Sequence, residues 1–324
     1  MSNIKMTVDF WGVTGSVPSP PTPQAIDALL AESARSGKIP VDPVYYGGNT
    51  PCVTISAGGN TIICDMGTGV RKFGQSRFRQ ILADKKFNAH VLMSHVHWDH
   101  IQGFPFFGPV YMPRNAFDIH LSMHGGVNWR ETLETVLLGQ MRDPKFPIDL
   151  KMIAQEAATL EFSPVCDRQT FEIPSADGSP PIIVYCRRLN HPNETYGYRM
   201  SHGKTIIAYT TDNEGYMYPD PALIDLVKDA TLWIQDAQYT DDQYRGAVGI
   251  PRFGWGHSCP AQVIDVARAA KPKWIITFHH DPDNGAAAIR AIAKSIEEAT
   301  GIRTTPAREG ESIEIEEDDL PITA

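Results

Sequence analysis

The sequence contains few cysteines, and none of them form a C-x-x-C pair. There are five among 324 residues, an odd number, scattered along the chain. They are Cys52, Cys64, Cys166, Cys186 and Cys259. Neither a disulfide framework nor a thiolate zinc knuckle fits this spacing. We therefore expect reduced thiols in a cytoplasmic protein, most of them as small buried apolar residues.

The chain also lacks a long apolar run and a basic stripe. No segment approaches the roughly 20 apolar residues that span a bilayer, and residues 1–6 lack the apolar segment of a secretion signal. Lysine and arginine number 29 against 38 aspartates and glutamates, which gives a net charge of −9. Without a long apolar run, we do not expect a membrane as partner. Because long nucleic acids are bound through their phosphates by basic surfaces, we do not expect a long nucleic acid either.

The composition is that of a folded protein, with 42% apolar and 21% charged residues. The patterns predict strands at 4–11, 52–56, 61–64, 89–93, 182–186, 205–209, 232–234 and 274–278. They predict helices at 24–36, 129–141, 221–229, 261–270 and 286–300. Strands alternating with helices indicate an α/β fold. Since no convincing linker is present, we expect one domain over residues 1–324.

The most informative stretch has three histidines and an aspartate within six residues, directly after an apolar strand. These residues are His95, His97, Asp99 and His100. Imidazole and carboxylate ligands suit Zn, Mn or Fe, and two imidazoles one residue apart can reach one ion from a loop. Asp99 and His100 point elsewhere on the same turn, so they could reach a second ion. The alternative is a chance cluster of surface histidines.

This H-x-H-x-D-H motif resembles the signature of the metallo-β-lactamase-fold hydrolases, above all the phosphodiesterase branch that includes ribonuclease Z. The resemblance extends over nearly the whole chain and implies an αββα sandwich with two metal ions at one edge. His191 in Asn190-His191-Pro192 matches the family's third-motif histidine. Asp212, which ends Tyr209-Thr210-Thr211-Asp212, matches the aspartate that bridges both metals.

The closing motif of the family has one histidine directly after the last strand, and here two are adjacent. The family has a proline three residues beyond that histidine, so the resemblance selects His279, with Pro282 at the matching place, and gives His280 a position behind the ligands or facing the substrate. His280 is the alternative ligand, and the choice matters because adjacent residues on a strand face opposite ways. Asp65 matches the family's first-motif aspartate, which holds a metal-ligating side chain in place without itself being a ligand. A helix N-cap is the alternative role for Asp65.

The resemblance thus implies two ligand sets that share one carboxylate. The first set is His95, His97, His191 and Asp212. The second set is Asp99, His100, Asp212 and His279. A bridging carboxylate can hold two ions about 3.5–4 Å apart, where both act on one phosphate.

Two further motifs resemble the acid–base pair of ribonuclease Z. Asp236 stands at the glutamate position of its H-E-A-T motif, and His257 stands in its H-S-T motif, with Cys259 in place of threonine. A carboxylate beside a histidine raises the proton affinity of the imidazole, which could then protonate a departing alkoxide. The alternatives are a structural hydrogen bond for Asp236 and a loop position for His257.

The function that these motifs favour is a dinuclear metal-dependent hydrolase. Its implied substrate is a small phosphodiester, such as a cyclic nucleotide or short oligonucleotide, attacked by a metal-bridging hydroxide that Asp99 would orient. The favoured ions are two Zn, with Mn or Fe as alternatives. Alternative functions are a lactonase or thioesterase on the same scaffold, or a non-catalytic metal-binding scaffold protein. Family relatives are often dimers, so a homodimer is an expectation of the resemblance.

One departure from ribonuclease Z concerns its substrate. The long arm that grips tRNA usually lies between the third and fourth motifs, but here His191 and Asp212 are too close for it. Extra sequence lies instead near 18–44 and 129–153. Five aromatic residues could line a mouth that stacks a base, although plain core packing is the more ordinary role. They are Phe104, Phe106, Phe107, Tyr111 and Trp255.

Overall fold

The computed structural model describes residues 5–36, 45–84, 86–122, 134–149 and 156–316. Its strands form two seven-stranded sheets. In the first sheet the order is β14-β1-β2-β3-β4-β5-β6, and in the second it is β13-β12-β11-β10-β9-β8-β7. The strands are β1 Lys5–Gly12, β2 Cys52–Ala57, β3 Asn60–Cys64, β4 Asn88–Leu92, β5 Ala116–Ser122, β6 Thr159–Val165, β7 Thr170–Ile173, β8 Ile182–Leu189, β9 Thr195–His202, β10 Thr205–Thr210, β11 Leu232–Asp236, β12 Trp274–Phe278, β13 Arg303–Pro306 and β14 Ser312–Glu316.

Helices lie between the strands along the chain. They are α1 Pro23–Ser36, α2 Gly69–Asp84, α3 Trp98–Ile101, α4 Pro221–Val227, α5 Asp241–Arg245, α6 Pro260–Ala270 and α7 Ala286–Thr300. Short 3-10 turns occur at Phe104–Phe106, Gly108–Tyr111 and Gly139–Met141, with a π-helical turn at Glu134–Leu138. Within the described ranges, none of these helices has the length and apolar character to cross a bilayer.

Three apolar clusters define four layers. One cluster joins the facing sides of the two sheets and includes Phe10, Tyr209 and Phe278. A second packs α2 and the turns after β4 on the outer face of the first sheet, around Phe73. A third packs α4, α6 and α7 on the outer face of the second sheet, around Trp233. The predicted αββα sandwich is confirmed.

Strand direction explains where polar groups collect. Strands β10, β11, β12 and β13 are parallel, and β8 runs the same way because β9 is antiparallel to both β8 and β10. In the first sheet β3, β4, β5 and β6 are parallel. A bridge between Thr14 and His280 joins the segments that follow β1 and β12. The loops after β3, β4, β8, β10, β11 and β12 therefore lie at the carboxyl edges of the sheets.

Most predicted elements exist, with small shifts in their ends. The continuous helix predicted over 129–141 is an exception. Residues 129–133 lie outside the described residues, and 134–141 form a π-helical turn followed by a 3-10 turn. The β-branched Thr135 and Val136 and the flexible Gly139 disfavour a regular α-helix there. All five cysteines are unpaired, and all but Cys166 are buried, as the sequence predicted.

Candidate metal centre

Seven polar side chains meet where the strands end. His95, His97, Asp99 and His100 follow β4 through the short helix α3, which places Asp99 and His100 in a buried position. His191 follows β8, Asp212 follows β10 and His279 directly follows β12. Every residue that the sequence proposed as a metal ligand is thus in one cluster, at the edge of the sandwich. We call this cluster the metal centre.

The two carboxylate oxygens of Asp212 face different histidines. Oδ1 lies 3.7 Å from Nε2 of His95 and 3.9 Å from Nε2 of His191. Oδ2 lies 3.1 Å from Nε2 of His100 and 3.3 Å from Nε2 of His279. The side chain is buried and stands between the two groups. This is the placement that a bridging carboxylate requires.

His97 and Asp99 complete the two groups of side chains around Asp212. Nδ1 of His97 lies 3.2 Å from Nε2 of His191, so these two ring nitrogens face each other. One potential ligand atom from each of His95, His97, His191 and Asp212 lies within 4.8 Å of the others. The same limit holds for Asp99, His100 and His279. The two groups contain the residues of the two predicted ligand sets.

The ring nitrogens of the cluster are available to divalent metal ions. Among the residues that the structure describes, Nε2 of His95 and Nε2 of His100 are buried without a hydrogen-bond partner of acceptable geometry, although carboxylate oxygens lie near both. Burial lowers the pKa of His95 well below its usual value, and it lowers that of His97 to about 4. Both imidazoles are therefore neutral at pH 7, which is the form that binds a metal. The donor set fits divalent ions.

Asp65 supports the cluster from behind His100. Its Oδ2 lies 2.9 Å from Nδ1 of His100 and accepts hydrogen bonds from Oγ of Ser94 and the hydroxyl of Tyr209, both at 2.8 Å. Its Oδ1 accepts from the Ser94 amide at 2.7 Å. The neighbouring helix α2 begins only at Gly69, so Asp65 is not its N-cap. A carboxylate at Nδ1 leaves Nε2 of His100 directed at Asp212.

Three residues of the site have left-handed backbone conformations. Asp65, Asp212 and His279 have φ values of 61°, 54° and 59°. Asp65 and His279 come directly after a strand and Asp212 comes two residues after one, where the chain must turn sharply to aim the side chain. For residues other than glycine this region costs about 1–3 kcal/mol and persists where surrounding contacts hold it. The fold therefore maintains strained backbone at the cluster.

His191 is held by a glycine that has no room for a side chain. Its Nδ1 lies 2.9 Å from the carbonyl oxygen of Gly256. A Cβ on Gly256, which has φ +89°, would come within 2.1 Å of that same nitrogen. Glu214 fixes the loop, because its carboxylate accepts hydrogen bonds from the amides of Gly254 and Gly256 at 2.8 Å. No motif in the sequence marks Glu214 for this role.

Asp236 and His257 form a close pair beside the cluster. Oδ2 of Asp236 lies 2.7 Å from Nδ1 of His257, whose ring stacks on His279 with centroids 4.9 Å apart. Burial works against the charged form of His257, but Asp236, with help from Asp212 and Asp99, raises its pKa to about 9. The carboxylates around His257 therefore favour its protonated form, next to the metal centre.

The two adjacent histidines of the closing motif have different surroundings. Nε2 of His279 lies 3.1 Å from Oδ2 of Asp99, within the metal centre. His280 is buried on the other side, with Nε2 2.9 Å from the carbonyl oxygen of Ala307 and its ring against Tyr46. The interpretation of His280 as a substrate-facing group is therefore wrong, because its polar nitrogen is used inside the core.

Other contacts to the cluster come from residues that the motifs did not identify. The amide of Ser16 donates to Oδ2 of Asp99 at 2.8 Å, and Oε1 of Gln238 lies 3.1 Å from Nδ1 of His279. Ser94 contacts Nδ1 of His95 at 3.0 Å. These are common residue types, and for Ser16 and Gln238 the contact joins distant parts of the chain. No local pattern marks them.

The five aromatic residues do not form one mouth. Phe104 and Phe107 are completely buried in the apolar cluster around Phe73. Tyr111 is partly buried against the same cluster and donates its hydroxyl proton to the carbonyl of Pro105. Phe106 and Trp255 are exposed, and Trp255 stacks with the guanidinium of Arg252. Phe104 and Phe107 therefore have the more ordinary role of core packing, and the base-stacking alternative is wrong for these two residues.

Comparisons with known proteins agree with this architecture. A ribonuclease Z from Bradyrhizobium sp. (strain ORS 278) is 28% identical over 109 residues, covering 32% of this chain and 33% of that protein. The chain thus matches only about a third of the length of that curated relative. The metallo-beta-lactamase fold protein YhfI from Bacillus subtilis has a TM-score of 0.65 at 16% identity, covering 96% of this chain and all of that one.

A diphosphatase of the PhnP family has a TM-score of 0.59 at 17% identity, covering 97% of this chain and 98% of the other. At such identities, the two solved structures establish a shared fold. A family model described as a beta-lactamase superfamily domain matches residues 60–280, which is more than half of the chain and includes every member of the metal centre. The chain therefore belongs to the beta-lactamase superfamily and has the metallo-β-lactamase fold.

Proposed function

We propose that this protein is a dinuclear metal-dependent hydrolase that cleaves small phosphodiesters, such as cyclic nucleotides or short oligonucleotides. The observation that carries the proposal is the position of the Asp236–His257 pair. Nδ1 of His257 lies 3.9 Å from Oδ1 of Asp212, so an acid with a raised pKa stands beside a cluster suited to two metal ions. That combination suits the hydrolysis of an ester with an alkoxide leaving group.

The two ions would share Asp212 and would otherwise be held by different residues. His95, His97, His191 and Asp212 would hold one, and Asp99, His100, His279 and Asp212 the other. When bound, such ions supply Lewis-acid polarisation of phosphoryl oxygens and activation of water. Ligands without thiolate suit Zn, Mn or Fe, of which Zn is our preferred assignment.

The protein's own groups perform the proton chemistry. Asp236 accepts the Nδ1 proton of His257 and keeps the ring in one orientation. Nε2 then carries the proton that is passed to the departing alkoxide. Asp99 is buried, and its Oδ2 accepts a hydrogen bond from the Ser16 amide and lies 3.1 Å from Nε2 of His279. These contacts fix the carboxylate for orienting the nucleophile or accepting its proton. His257 retains some exposure at 11% of its side chain, whereas Asp236 has none.

Two comparisons support a phosphate ester as the substrate class, since the similar proteins are named as a ribonuclease Z and a diphosphatase. Two features of the chain favour a small substrate. His191 and Asp212 are joined by β9, β10 and their short turns, with no room for an arm between them. The net charge of −9 also disfavours a long nucleic acid.

The test is a panel of substrates given to protein that has been loaded with Zn or Mn. We expect hydrolysis of cyclic mononucleotides or dinucleotides at rates well above those for lactones and thioesters. Faster turnover of a lactone or thioester would replace the proposed substrate class. Stoichiometric metal with no hydrolysis of any ester would instead indicate a non-catalytic metal-binding protein.

A further inference from the structure

A second cluster of histidines and an aspartate lies within the first sheet. His90 is in β4, and Asp118 and His120 are in the adjacent parallel strand β5. His90 pairs with Asp118 in the strand register, and His120 is two residues further along β5. Because side chains two apart on a strand share a face, all three lie on the same side of the sheet. None of them belongs to the metal centre described above.

The atoms converge on one carboxylate oxygen. Nε2 of His120 lies 3.3 Å from Oδ2 of Asp118, and Nδ1 of His90 lies 3.7 Å from the same oxygen. One potential ligand atom from each residue lies within 4.8 Å of the others. Ligand atoms around a tetrahedral zinc ion lie about 3.3 Å apart, given bond lengths of about 2.0–2.2 Å. The two nitrogen–oxygen distances in the cluster, 3.3 and 3.7 Å, are close to this spacing.

Both nitrogens lack another use. Nδ1 of His90 and Nε2 of His120 are buried, and within the described part of the chain neither has a hydrogen-bond partner of acceptable geometry. The His120 residue is only 8% exposed. A buried polar atom without a partner is costly, so this arrangement needs a further atom between the nitrogens and the carboxylate.

The surroundings hold the three groups in place. Oγ of Ser163, on the neighbouring strand β6, donates to Oδ1 of Asp118 at 3.0 Å and leaves Oδ2 for the histidines. The ring of Phe171, from the second sheet, stacks on His120 with centroids 4.6 Å apart. Hydrogen bonds to the outer oxygen of a ligating carboxylate are a common support of metal sites. All of these contacts come from strands, which are rigid.

We propose that Nδ1 of His90, Oδ2 of Asp118 and Nε2 of His120 form a separate site for one divalent transition-metal ion of the Zn²⁺ class. Two imidazoles and one carboxylate supply three ligands of a tetrahedral ion. The side chains of His90 and Asp118 are 25% and 37% exposed, so a water molecule can complete the coordination. The site joins β4 to β5, and its role is structural.

Metal content of the full chain tests this site. The wild type, Asp118→Asn and His120→Gln are produced with added zinc, dialysed against zinc-free buffer, checked for folding by circular dichroism and analysed by mass spectrometry. His202→Gln is the matched control, because His202 is also a buried strand histidine with an unpartnered Nδ1 but lies outside the cluster. His90→Gln, at a more exposed position, serves as a second variant if His120→Gln fails to fold.

We expect each cluster variant to hold about one zinc equivalent fewer than the wild type, and His202→Gln to match the wild type. Turnover should be unchanged in the cluster variants, which separates this site from the metal centre. Asp212→Asn, by contrast, should lose metal and activity while the ion at the cluster remains. Folded Asp118→Asn and His120→Gln proteins with the wild-type zinc content would overturn the proposal and leave the cluster as an ion pair only.

Discussion

Nδ1 of His257 lies 2.7 Å from Oδ2 of Asp236, and Asp236 is completely buried at the end of β11. A buried carboxylate with a hydrogen bond to an imidazole stabilises the charged ring, which is why the pKa of His257 reaches about 9. The pair is the feature that distinguishes an acid-assisted hydrolase from a cluster that only binds metal.

Replacing His257 should slow turnover most for substrates whose leaving group must be protonated as it departs. For His257→Gln we expect a loss of about 10²–10⁴ in kcat on a dinucleotide, whose leaving group is an alkoxide. On bis-p-nitrophenyl phosphate the loss should be under tenfold, because the nitrophenolate leaves without a proton. Equal losses on both substrates, or metal lost in proportion to activity, would count against the acid role.

Asp236 and His257 should behave as one unit. If Asp236 acts through His257, the double variant Asp236→Asn/His257→Gln should be about as slow as His257→Gln alone on a dinucleotide. Steady-state rates of the wild type, both single variants and the double variant give this comparison. Multiplicative losses would mean that Asp236 affects catalysis by a separate route.

Removing the carboxylate of Asp65 should destabilise the fold as well as the metal centre. Asp65 accepts from Ser94 and Tyr209 and contacts His100, with no exposure to water. We expect Asp65→Ala to lower the free energy of unfolding by at least about 3 kcal/mol, since hydrogen bonds to charged groups are worth about 1.5–3 kcal/mol each.

Urea denaturation of metal-free protein measures this loss. Glu314→Gln is the control, because its ion pair with Lys5 is exposed and should contribute about 1 kcal/mol or less. Similar stability of the two variants would contradict the role assigned to Asp65.

Alanine variants at Gly254 and Gly256 test how His191 depends on the close approach of Gly256. Gly254 and Gly256 have φ values of +77° and +89°, so an alanine is strained at either position. Only at Gly256 would the new Cβ also collide with a ring nitrogen of His191, whereas at Gly254 no atom lies within 4 Å of it. We expect Gly256→Ala to lose metal affinity and Gly254→Ala to keep it. Isothermal titration with Zn²⁺ measures both, and equal affinities would show that His191 does not depend on this contact.

Glu309 should make stability depend on pH. Its carboxylate accepts hydrogen bonds from the amides of Gly48 and Asn49 at 3.0 and 3.1 Å, and it pairs with Lys72. Burial opposes the charge of Glu309, but Lys72 and the Asn49 and Gly48 donors lower its pKa below the usual 4.5. A lowered folded-state pKa adds stability above pH 4.5, and this is lost as the pH falls through the folded-state value.

Glu309→Gln should therefore cost about 2 kcal/mol at pH 7, with a smaller difference from the wild type below pH 4.5. Denaturation of both proteins across this pH range measures the difference. A difference that stays constant, or grows, as the pH falls would contradict the account.

The sequence predicted the candidate metal ligands better than the residues that hold those ligands in place. His95, His97, Asp99 and His100 lie on one short loop, so their spacing alone brings them together. His191, Asp212 and His279 could be placed because the motifs around them resemble those of the metallo-β-lactamase-fold hydrolases. The apolar strand that precedes each of them agrees with that placement, since parallel strands end at a common edge. Ser16 and Gln238 could not be placed, because single common residues carry no pattern and their contacts depend on how the chain folds back.

The cluster of His90, Asp118 and His120 escaped prediction for a different reason. Strand β5 was not predicted, although polar Asp118 and His120 alternate in it with apolar residues, as in a strand with one polar face. Even a correct prediction of β5 does not show that it pairs with β4, and that pairing is what places His90 opposite Asp118. Pairing between strands is set by the whole sheet, beyond the reach of local periodicity.

Metal titration of dinucleotide hydrolysis tests the central claim most directly. Protein stripped of metal by a chelator is reloaded with Zn²⁺ or Mn²⁺, and phosphodiester cleavage is followed as the bound metal is counted. We expect activity to return as ions fill the metal centre, and Asp212→Asn to remain inactive at every metal concentration. A wild-type protein that binds its metal in full and cleaves no small phosphodiester would contradict the account.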